Sequence, residues 1–151
     1  MNKSFSGIDH VFLPKKPKLL FVDDRTKRIH YALDNYSENW DVTIATCVPE
    51  VLRLLCSQEW MAVSLDHDLN GHDFQDPDTV TSGMEIVRYI EKCGGWHFTK
   101  FKQPIFWIHS SNLFAAHLMD VALKRMGFAV RYTPIIYKNE NMQYDEKGVP
   151  K

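Results

Sequence analysis

Two carboxylates and an imidazole fall within one short stretch of this 151-residue chain, residues 64–71 (SLDHDLNG). The apolar run at 61–63 precedes it, so we expect a buried strand that ends where the acids begin. Asp66, His67 and Asp68 would then stand at the carboxyl end of a central strand, where open α/β sheets bind their ligands. Carboxylates suit a hard metal ion, and an imidazole suits proton transfer.

A second acidic pair, Asp23 and Asp24, follows another strand-like run, Lys18–Val22. If the two strands are neighbours in a sheet, four carboxylates converge on one spot. Acids so placed repel one another, so such a cluster usually indicates a bound metal ion, a bound cationic group or shifted protonation. Of these, we predict a divalent cation, Mg²⁺ or Mn²⁺, held by Asp23, Asp24, Asp66 and Asp68.

Apolar periodicity predicts five strands that alternate with helices. The predicted strands are residues 18–22, 41–45, the run from 61 up to the first acid, 104–108 and 129–132. Right-handed crossovers then favour a flavodoxin-like, doubly wound α/β fold with a five-stranded parallel sheet in the order 2-1-3-4-5. Strands one and three flank the switch point of that sheet, so Asp23, Asp24, Asp66 and His109 would face one pocket.

Two helix starts carry specific predictions. Ser82, with Glu85 three residues later, has the form of a capping box. Asn112 or Ser111 can cap the helix after strand four. The face predicted to point inward on that helix consists of Ala115, Leu118, Met119, Ala122 and Met126. The polar insert at 72–81 is long enough to be a lid over the pocket.

The end of strand four adds a second set of candidate residues, 109–112 (HSSN). His109 would lie across the pocket from the acids, either as an acid or base, a phosphate contact or a metal ligand, or as a buried structural imidazole. Ser110, Ser111 and Asn112 can expose backbone N–H groups that hold phosphate oxygens, although they also suit a helix cap.

Each of the other candidate site residues has two possible roles. Arg25 is either a phosphate clamp, which its planar guanidinium suits, or an ordinary surface charge. His67 points opposite to its neighbours if strand geometry persists, so it is either catalytic or a support behind the site. Asp66 and Asp68 could form a turn before Gly71, and Asp23 and Asp24 could cap a helix.

Composition bounds the remaining possibilities. The chain is 44% hydrophobic and 25% charged, which fits one compact domain at 18–136 with an N-terminal extension at 1–17 and a polar C-terminal tail at 137–151. Its net charge of −1 argues against a broad nucleic-acid-binding or anionic-membrane surface. No run approaches the ~20 apolar residues of a membrane span. Three cysteines without metal-type spacing predict reduced, mostly buried thiols in a cytoplasmic protein.

The positions of Asp23, Asp24, Asp66, Gly71 and Gly83 resemble the acidic pocket of a response-regulator receiver domain. That resemblance, which covers roughly residues 18–136, implies that the first acids bind magnesium and that the aspartate after strand three accepts a phosphoryl group. The chain departs from receivers in two places. His109 stands where receivers have Ser or Thr, and Thr133-Pro134 where they have a lysine.

The fuller pattern is similar to the cyclic-phosphate processing receiver-like family of bacteria and their phages. The matching segments are residues 22–25 (VDDR), 64–69 (SLDHDL), 82–83 (SG) and 109–112 (HSSN). The resemblance implies metal-dependent hydrolysis or ring opening of a cyclic-phosphate nucleotide or RNA end, in RNA repair or phage defence, with Asp66, His109 and His67 as catalytic candidates. A binder that sequesters or senses such a ligand is the alternative, and a phosphoacceptor signalling domain is a third reading.

Overall fold

The structure, a computed structural model, describes residues 15–71 and 74–135. The predicted tail at 137–151, most of the predicted extension at 1–17, and two residues of the predicted lid lie outside the described residues. The proposed domain boundaries therefore remain predictions.

Five parallel strands form one sheet in the order β2-β1-β3-β4-β5. The strands are β1 (Lys18–Val22), β2 (Asp41–Ala45), β3 (Ala62–Leu65), β4 (Ile105–Ile108) and β5 (Val130–Tyr132). The predicted doubly wound sheet and its strand order are confirmed. Strands β1, β3 and β4 are adjacent, so the residues that follow them meet at one edge of the sheet.

Four α-helices connect the strands, and their bounds are α1 (Thr26–Tyr36), α2 (Val48–Leu55), α3 (Gly83–Lys92) and α4 (Leu113–Arg125). A short 3₁₀ turn, Trp96–Phe98, follows α3. Helix α3 packs between α2 and α4 over the main core, which includes Val22, Leu65 and Ile108. The right-handed β1–α1–β2 crossover places α1 on the opposite face of the sheet.

Side chains that alternate with the core residues point to the face of α1. Phe21 on β1 and Ser64 on β3 are both buried there, and Phe21 contacts Tyr36 at the end of α1 with ring centroids 6.5 Å apart. His109 continues the same alternation one residue beyond β4. The face towards α1 therefore holds the polar side chains of Ser64 and His109, and His109 lies at the edge of the sheet where the acids follow β1 and β3.

Helix α3 begins directly against the backbone of Asp66. The Gly83 N–H donates to the His67 carbonyl oxygen at 2.8 Å. A Cβ atom at Gly83 would lie 2.1 Å from the Asp66 carbonyl oxygen, which no side chain can tolerate. The close approach fixes the backbone of the residue that stands at the centre of the predicted site.

The two predicted helix caps had different outcomes. Asn112 caps α4 as expected, because its side chain accepts a hydrogen bond from the Ala115 N–H at 3.2 Å. The predicted capping box at Ser82 is wrong: the Ser82 hydroxyl donates to the Thr79 carbonyl at 2.8 Å instead. Glu85 is held by Arg88, whose guanidinium also binds the loop carbonyls of residues 77 and 79, so it does not reach back to residue 82.

Some burial predictions also need correction. The inward face of α4 consists of Ala115, Ala116, Met119, Ala122 and Leu123. Leu118 and Met126, which were predicted to be buried, are only partly so. Strand β4 was predicted to be covered on both faces, yet Ile105 is 43% exposed and Trp107 is half-buried. Within the described residues α1 is the sole helix on that face; it packs mainly on β2 and reaches β4 through Tyr36, whose ring lies 5.7 Å from that of Trp107.

The cysteines are free, as predicted, but they are not mostly buried. Cys47 and Cys93 are half-buried and Cys56 is exposed, because each flanks the end of a helix rather than an inward face. Among the described residues, no helix is both long enough and apolar enough to cross a membrane.

Candidate functional site

Asp23, Asp66 and His109 converge at the carboxyl edge of the sheet. Each follows directly after β1, β3 or β4, and its backbone N–H continues the parallel ladder with a 3.0 Å bond to the neighbouring strand. One potential ligand atom from each residue lies within 4.8 Å of those of the other two, and all three residues are buried. The geometry therefore confirms that the acids after strands one and three meet.

Asp66 is the least compensated of these acids. Its Oδ1 accepts a bond from the His67 N–H at 2.9 Å, whereas Oδ2 is buried and has no aligned donor among the described residues. Burial raises the pKa of the Asp66 carboxyl and the nearby Asp23 charge raises it further, while a protonated His109, Arg28 and a hydrogen bond from Ser110 act to lower it. A carboxylate in this state favours an added cation or a proton.

Arg28 supplies the nearest cation, and sequence reasoning missed it. Its Nη1 lies 3.1 Å from Asp66 Oδ2 and 3.4 Å from Asp23 Oδ2, while Nη2 donates to Ser111 Oγ at 3.1 Å. The first contact is close but not aligned as a hydrogen bond, which is why Asp66 Oδ2 still lacks a donor. The signal was available: side chains in the first turn of a helix lean back towards its start, and α1 starts at this edge.

Arg25 borders the same site from the beginning of α1. Its backbone N–H donates to Asp23 Oδ1 at 2.9 Å, and the residue is half-buried. A cleft of 320 Å³ opens beside the acids and is lined by Arg25, Thr26, Lys27 and Arg28. The larger cavity of 630 Å³ near Trp40 lies at the amino ends of β1 and β2, far from the acids. The smaller, basic cleft is therefore the one that adjoins the acids, through Arg28.

His109 lies where the sequence predicted, but both of its ring nitrogens are occupied inside the protein. Nδ1 lies 2.7 Å from Ser64 Oγ and Nε2 lies 3.0 Å from Asp23 Oδ2. The ring also stacks on Phe21, with centroids 4.5 Å apart and planes 8° apart. A neutral ring satisfies both contacts when Ser64 donates to Nδ1 and the Nε2–H donates to Asp23, an assignment made from the hydrogen-bond network.

Ser64 is a second residue that sequence reasoning passed over. It is 1% exposed in a strand that is otherwise apolar, and a buried hydroxyl requires a partner. It also lies two residues before Asp66, so both belong to the same alternating face. A polar residue on the site face of a central strand was the signal that could have revealed it.

Three predicted site residues, His67, Asp68 and Asn112, form a separate buried network. Asp68 Oδ1 lies 2.7 Å from His67 Nδ1 and accepts bonds from Asn112 Nδ2 at 3.2 Å and the Gln75 N–H at 3.0 Å. Its Oδ2 accepts from the Phe74 N–H at 2.7 Å. Burial alone would raise the pKa of Asp68, but these hydrogen bonds together hold it below its usual range.

This Asp68 network joins the loop after β3 to the start of α4. Asn112 Nδ2 also donates to the Gln75 carbonyl at 3.2 Å, and the Gln75 side chain bonds both backbone groups of Leu69. Both oxygens of Asp68 and the side chain of Asn112 are thus engaged within the protein. His67 is fully buried, and its Nε2 has no partner among the described residues.

Asp24, Ser110 and Ser111 lie closer to Asp23 and Asp66 than the Asp68 network does. Asp24 Oδ2 accepts a hydrogen bond from the Gly71 N–H, while its Oδ1 is buried with no donor among the described residues. Ser110 is buried, and its hydroxyl accepts from the Asn112 N–H at 3.2 Å. Ser111 is exposed and contacts Arg28. The structure therefore brings Asp23, Asp24, Asp66, His109, Arg25 and Ser111 around one edge.

The residues at this edge fit a hard divalent cation. Of the three carboxylates at this edge, those of Asp23 and Asp66 contact the Arg28 guanidinium, and that of Asp24 accepts from the Gly71 N–H. Asp24 Oδ1 and Asp66 Oδ2 are buried oxygens without donors, and such oxygens are the ligands that Mg²⁺ and Mn²⁺ prefer. The Asp23, Asp66 and His109 cluster could therefore hold a metal ion.

Comparison with known proteins identifies both a family and a fold. Residues 18–125 match the family model of the cyclic-phosphate processing receiver domain. No curated protein sequence matches the chain significantly.

Several solved structures with the same fold are receiver domains or response regulators. They include a CheY-like receiver from Methanospirillum hungatei (17% identity, TM-score 0.52, covering 81% of this chain and 85% of that one). The non-phosphorylated HemR receiver from Leptospira biflexa has 18% identity and a TM-score of 0.57 over 82% and 85% of the two chains. The response regulator TrrA from Thermotoga maritima, solved with Mg²⁺ and BeF, has 20% identity and a TM-score of 0.54 over 83% and 89%.

Proposed function

The chain belongs to the cyclic-phosphate processing receiver domain family, and from that premise we propose that it opens the cyclic phosphate of a nucleotide or RNA end with Mg²⁺ or Mn²⁺. One observation carries the proposal. Buried oxygens of Asp24 and Asp66 that lack a hydrogen-bond donor among the described residues lie next to Arg28, which lines a cleft together with Arg25 and Lys27. A phosphodiester and a divalent cation together complement that arrangement of charge.

Asp23, Asp24 and Asp66 would hold the metal. When bound, a divalent ion polarises a phosphoryl oxygen and lowers the pKa of a water molecule. His109 assists by donating its Nε2–H to Asp23, which orients that carboxylate towards the cluster. Asp68 is left out of the ligand set, because donors already engage both of its oxygens.

Arg28 and Arg25 would hold the phosphate. A guanidinium binds two phosphate oxygens at once, and Arg28 is poised at the rim with a side chain 12% exposed. The metal would take over the neutralisation of Asp23 and Asp66, so that Arg28 turns to the ligand. Ser111, which already contacts Arg28, adds a hydroxyl at the same rim.

Ring opening adds water across one P–O ester bond: the hydroxyl joins phosphorus, and the departing ribose oxygen gains the proton. The two predicted imidazoles are badly placed to move that proton, since His109 is engaged at both nitrogens and His67 is fully buried. We therefore assign that proton to neither imidazole, and Asp66, as a ligand of the metal, would hold the ion rather than the proton.

The placement of the two imidazoles favours a second candidate function, which is binding without turnover. With neither imidazole facing the cleft, the site can hold a cyclic phosphate on Arg28 and the metal without a group that completes hydrolysis. Such a protein would sense or sequester a cyclic nucleotide. A phosphoacceptor role is the weakest of the three, since Thr133-Pro134 replaces the lysine that compensates the phosphoryl charge in receivers.

Chromatography after incubation separates these functions. The protein with Mg²⁺ is mixed with 2′,3′-cyclic AMP, 3′,5′-cyclic AMP or an RNA oligomer ending in a 2′,3′-cyclic phosphate. A linear phosphate product that disappears in Asp66→Asn supports the enzyme. Unchanged ligand that co-elutes with the wild type, but not with Arg28→Gln, supports the binder. If no probe is converted or retained in the presence of metal, both functions are excluded.

A further inference from the structure

A small cavity between α4 and β5 lies near the acid cluster and takes no part in the function proposed above. Its volume is 210 Å³, and it is lined by Ile108, Leu113, Ala116, His117, Asp120 and Tyr132. Ile108 and Ala116 form a buried apolar floor. Leu113 and Tyr132 stand at the mouth and are 68% and 47% exposed. Two large apolar side chains exposed beside an apolar floor mark a binding surface.

Hydrogen bonds connect this cavity to the phosphate side of the site. The Tyr132 hydroxyl donates to the Ser110 carbonyl at 3.2 Å, and the next residue, Ser111, accepts from Arg28 at 3.1 Å. Tyr132 lies on β5 and Asp66 follows β3, with β4 between them. Two strand spacings amount to about 10 Å. One ligand the size of a nucleotide can therefore reach both places.

The size of the cavity indicates what part of a ligand it would take. Pockets that enclose a whole small molecule usually measure about 300–1,000 Å³. At 210 Å³ this one suits a single flat ring system whose remainder lies outside. The exposed Tyr132 ring offers a stacking face, and aromatic stacking is how proteins hold unpaired bases.

We propose that this cavity binds the nucleobase of the cyclic nucleotide whose phosphate lies at Arg28 and Ser111. The inference rests on the proposed function and adds its substrate class: a ligand that carries a base, not a bare cyclic phosphate. The base stacks on Tyr132 and contacts Leu113 at the mouth of the cavity.

Asp120 adds a preference among bases. Its carboxylate only accepts hydrogen bonds, and guanine offers it two adjacent donors, the N1–H and the amino group, whereas adenine, cytosine and uracil each offer one. Lys124 pairs with Asp120 at 3.0 Å, but that lysine side chain is 57% exposed. Exposed pairs of this kind are weak, so a base can take the place of the lysine.

Calorimetric titrations test the proposal. The wild type with Mg²⁺ is titrated with the 2′,3′-cyclic monophosphates of adenosine, guanosine, cytidine and uridine, and with methyl riboside 2,3-cyclic phosphate, which lacks a base. We expect the base-free compound to bind about 5- to 150-fold more weakly than the adenosine compound, the range of one stacked base. The guanosine compound should bind most tightly of the four nucleotides.

Variants assign the effect to the cavity. Tyr132→Leu should reduce the affinity of the adenosine compound to that of the base-free one and leave the base-free one unchanged. Tyr132→Phe keeps the ring and should retain the difference. Asp120→Asn, whose amide can also donate, should reduce the preference for guanosine. Val121→Ala is the matched control, because Val121 is 40% exposed on the same helix but outside the cavity.

Three outcomes would overturn the inference. Equal affinities of the adenosine and base-free compounds exclude a base site while leaving the phosphate site intact. A preference for the nucleotide that survives Tyr132→Leu places the base elsewhere. If none of the five compounds binds in the presence of Mg²⁺, the base site is excluded together with the proposed function.

Discussion

Two buried groups of aspartate and histidine residues lie at the end of β3, and they differ in how many of their carboxylate oxygens have hydrogen-bond donors. Asp68 and His67 belong to a closed network in which both carboxylate oxygens have donors. Asp66, beside Asp23 and His109, keeps a buried oxygen without a donor and a raised pKa. The first group joins the loop after β3 to the start of α4, and the second could hold a metal ion. Residue type alone does not separate the two roles; the count of donors does.

The largest difference between the two groups is expected when one acid is removed from each. We expect Asp68→Ala to lower the free energy of unfolding by about 3–5 kcal/mol, because several buried donors lose their acceptor. Asp66→Asn should leave stability unchanged or raise it, because it relieves repulsion with Asp23. Urea unfolding in EDTA measures both. Equal losses in the two variants would show that both acids have the same structural role.

Metal binding should stabilise the folded protein through the group of acids around Asp66 and not through Asp68. At Mg²⁺ concentrations 100-fold above its dissociation constant, the free energy of unfolding should rise by about 2.7 kcal/mol. Asp24→Asn and Asp66→Asn should lose this gain, while Asp68→Asn, a variant of the closed network, should keep it. Identical urea curves for the wild type in Mg²⁺ and in EDTA would refute the metal site.

A smaller effect is expected from the contact that orients His109. Ser64→Ala removes the hydroxyl that lies 2.7 Å from Nδ1 and should cost about 1–2 kcal/mol, because a buried acceptor is left without its donor. It should also weaken Mg²⁺ binding, since His109 no longer holds Asp23 firmly. The exposed Ser111→Ala serves as the control for stability. A Ser64→Ala protein with unchanged stability and metal affinity would mean that the contact has no role.

The smallest effect concerns pH, because Arg28 and His109 offset part of the burial of Asp66. A raised pKa means that the folded state holds the Asp66 proton more tightly than the unfolded state. Stability of the metal-free protein should therefore decline as pH rises above about 3.9, the ordinary aspartate value, and level off above the folded pKa. Asp68 has the opposite sign: its contribution is present above about 3.9 and is lost as pH falls through its lowered pKa.

The difference in unfolding free energy between Asp66→Asn and wild type isolates the first of these trends. It should grow with pH from about 4 upward and then become constant. A difference that is independent of pH would mean that burial does not perturb Asp66. Mg²⁺ affinity should fall over the same interval as pH is lowered, because the proton and the metal compete for one carboxylate.

Much of this architecture could be predicted from sequence, because short apolar runs that alternate with amphipathic helices leave few topologies open. The positions of Asp23, Asp66 and His109 followed from the strand ends alone. Arg28 and Ser64 were missed because their relevance depends on the direction of a side chain, not on strand ends. The separation of Asp68 from Asp66 could not be predicted, since backbone direction in the loop after β3 is set by contacts with Gln75 and α4.

The stack of Phe21 on His109 offers a spectroscopic view of the site. An aromatic ring shields nuclei that lie over its face, so the carbon-bound protons of His109 should resonate upfield in a proton NMR spectrum, well separated from exposed histidines such as His30 and His117. Because that imidazole touches Asp23 directly, any occupant of the acid cluster should shift these resonances. The state of the site could thus be followed in solution before its natural ligand is known.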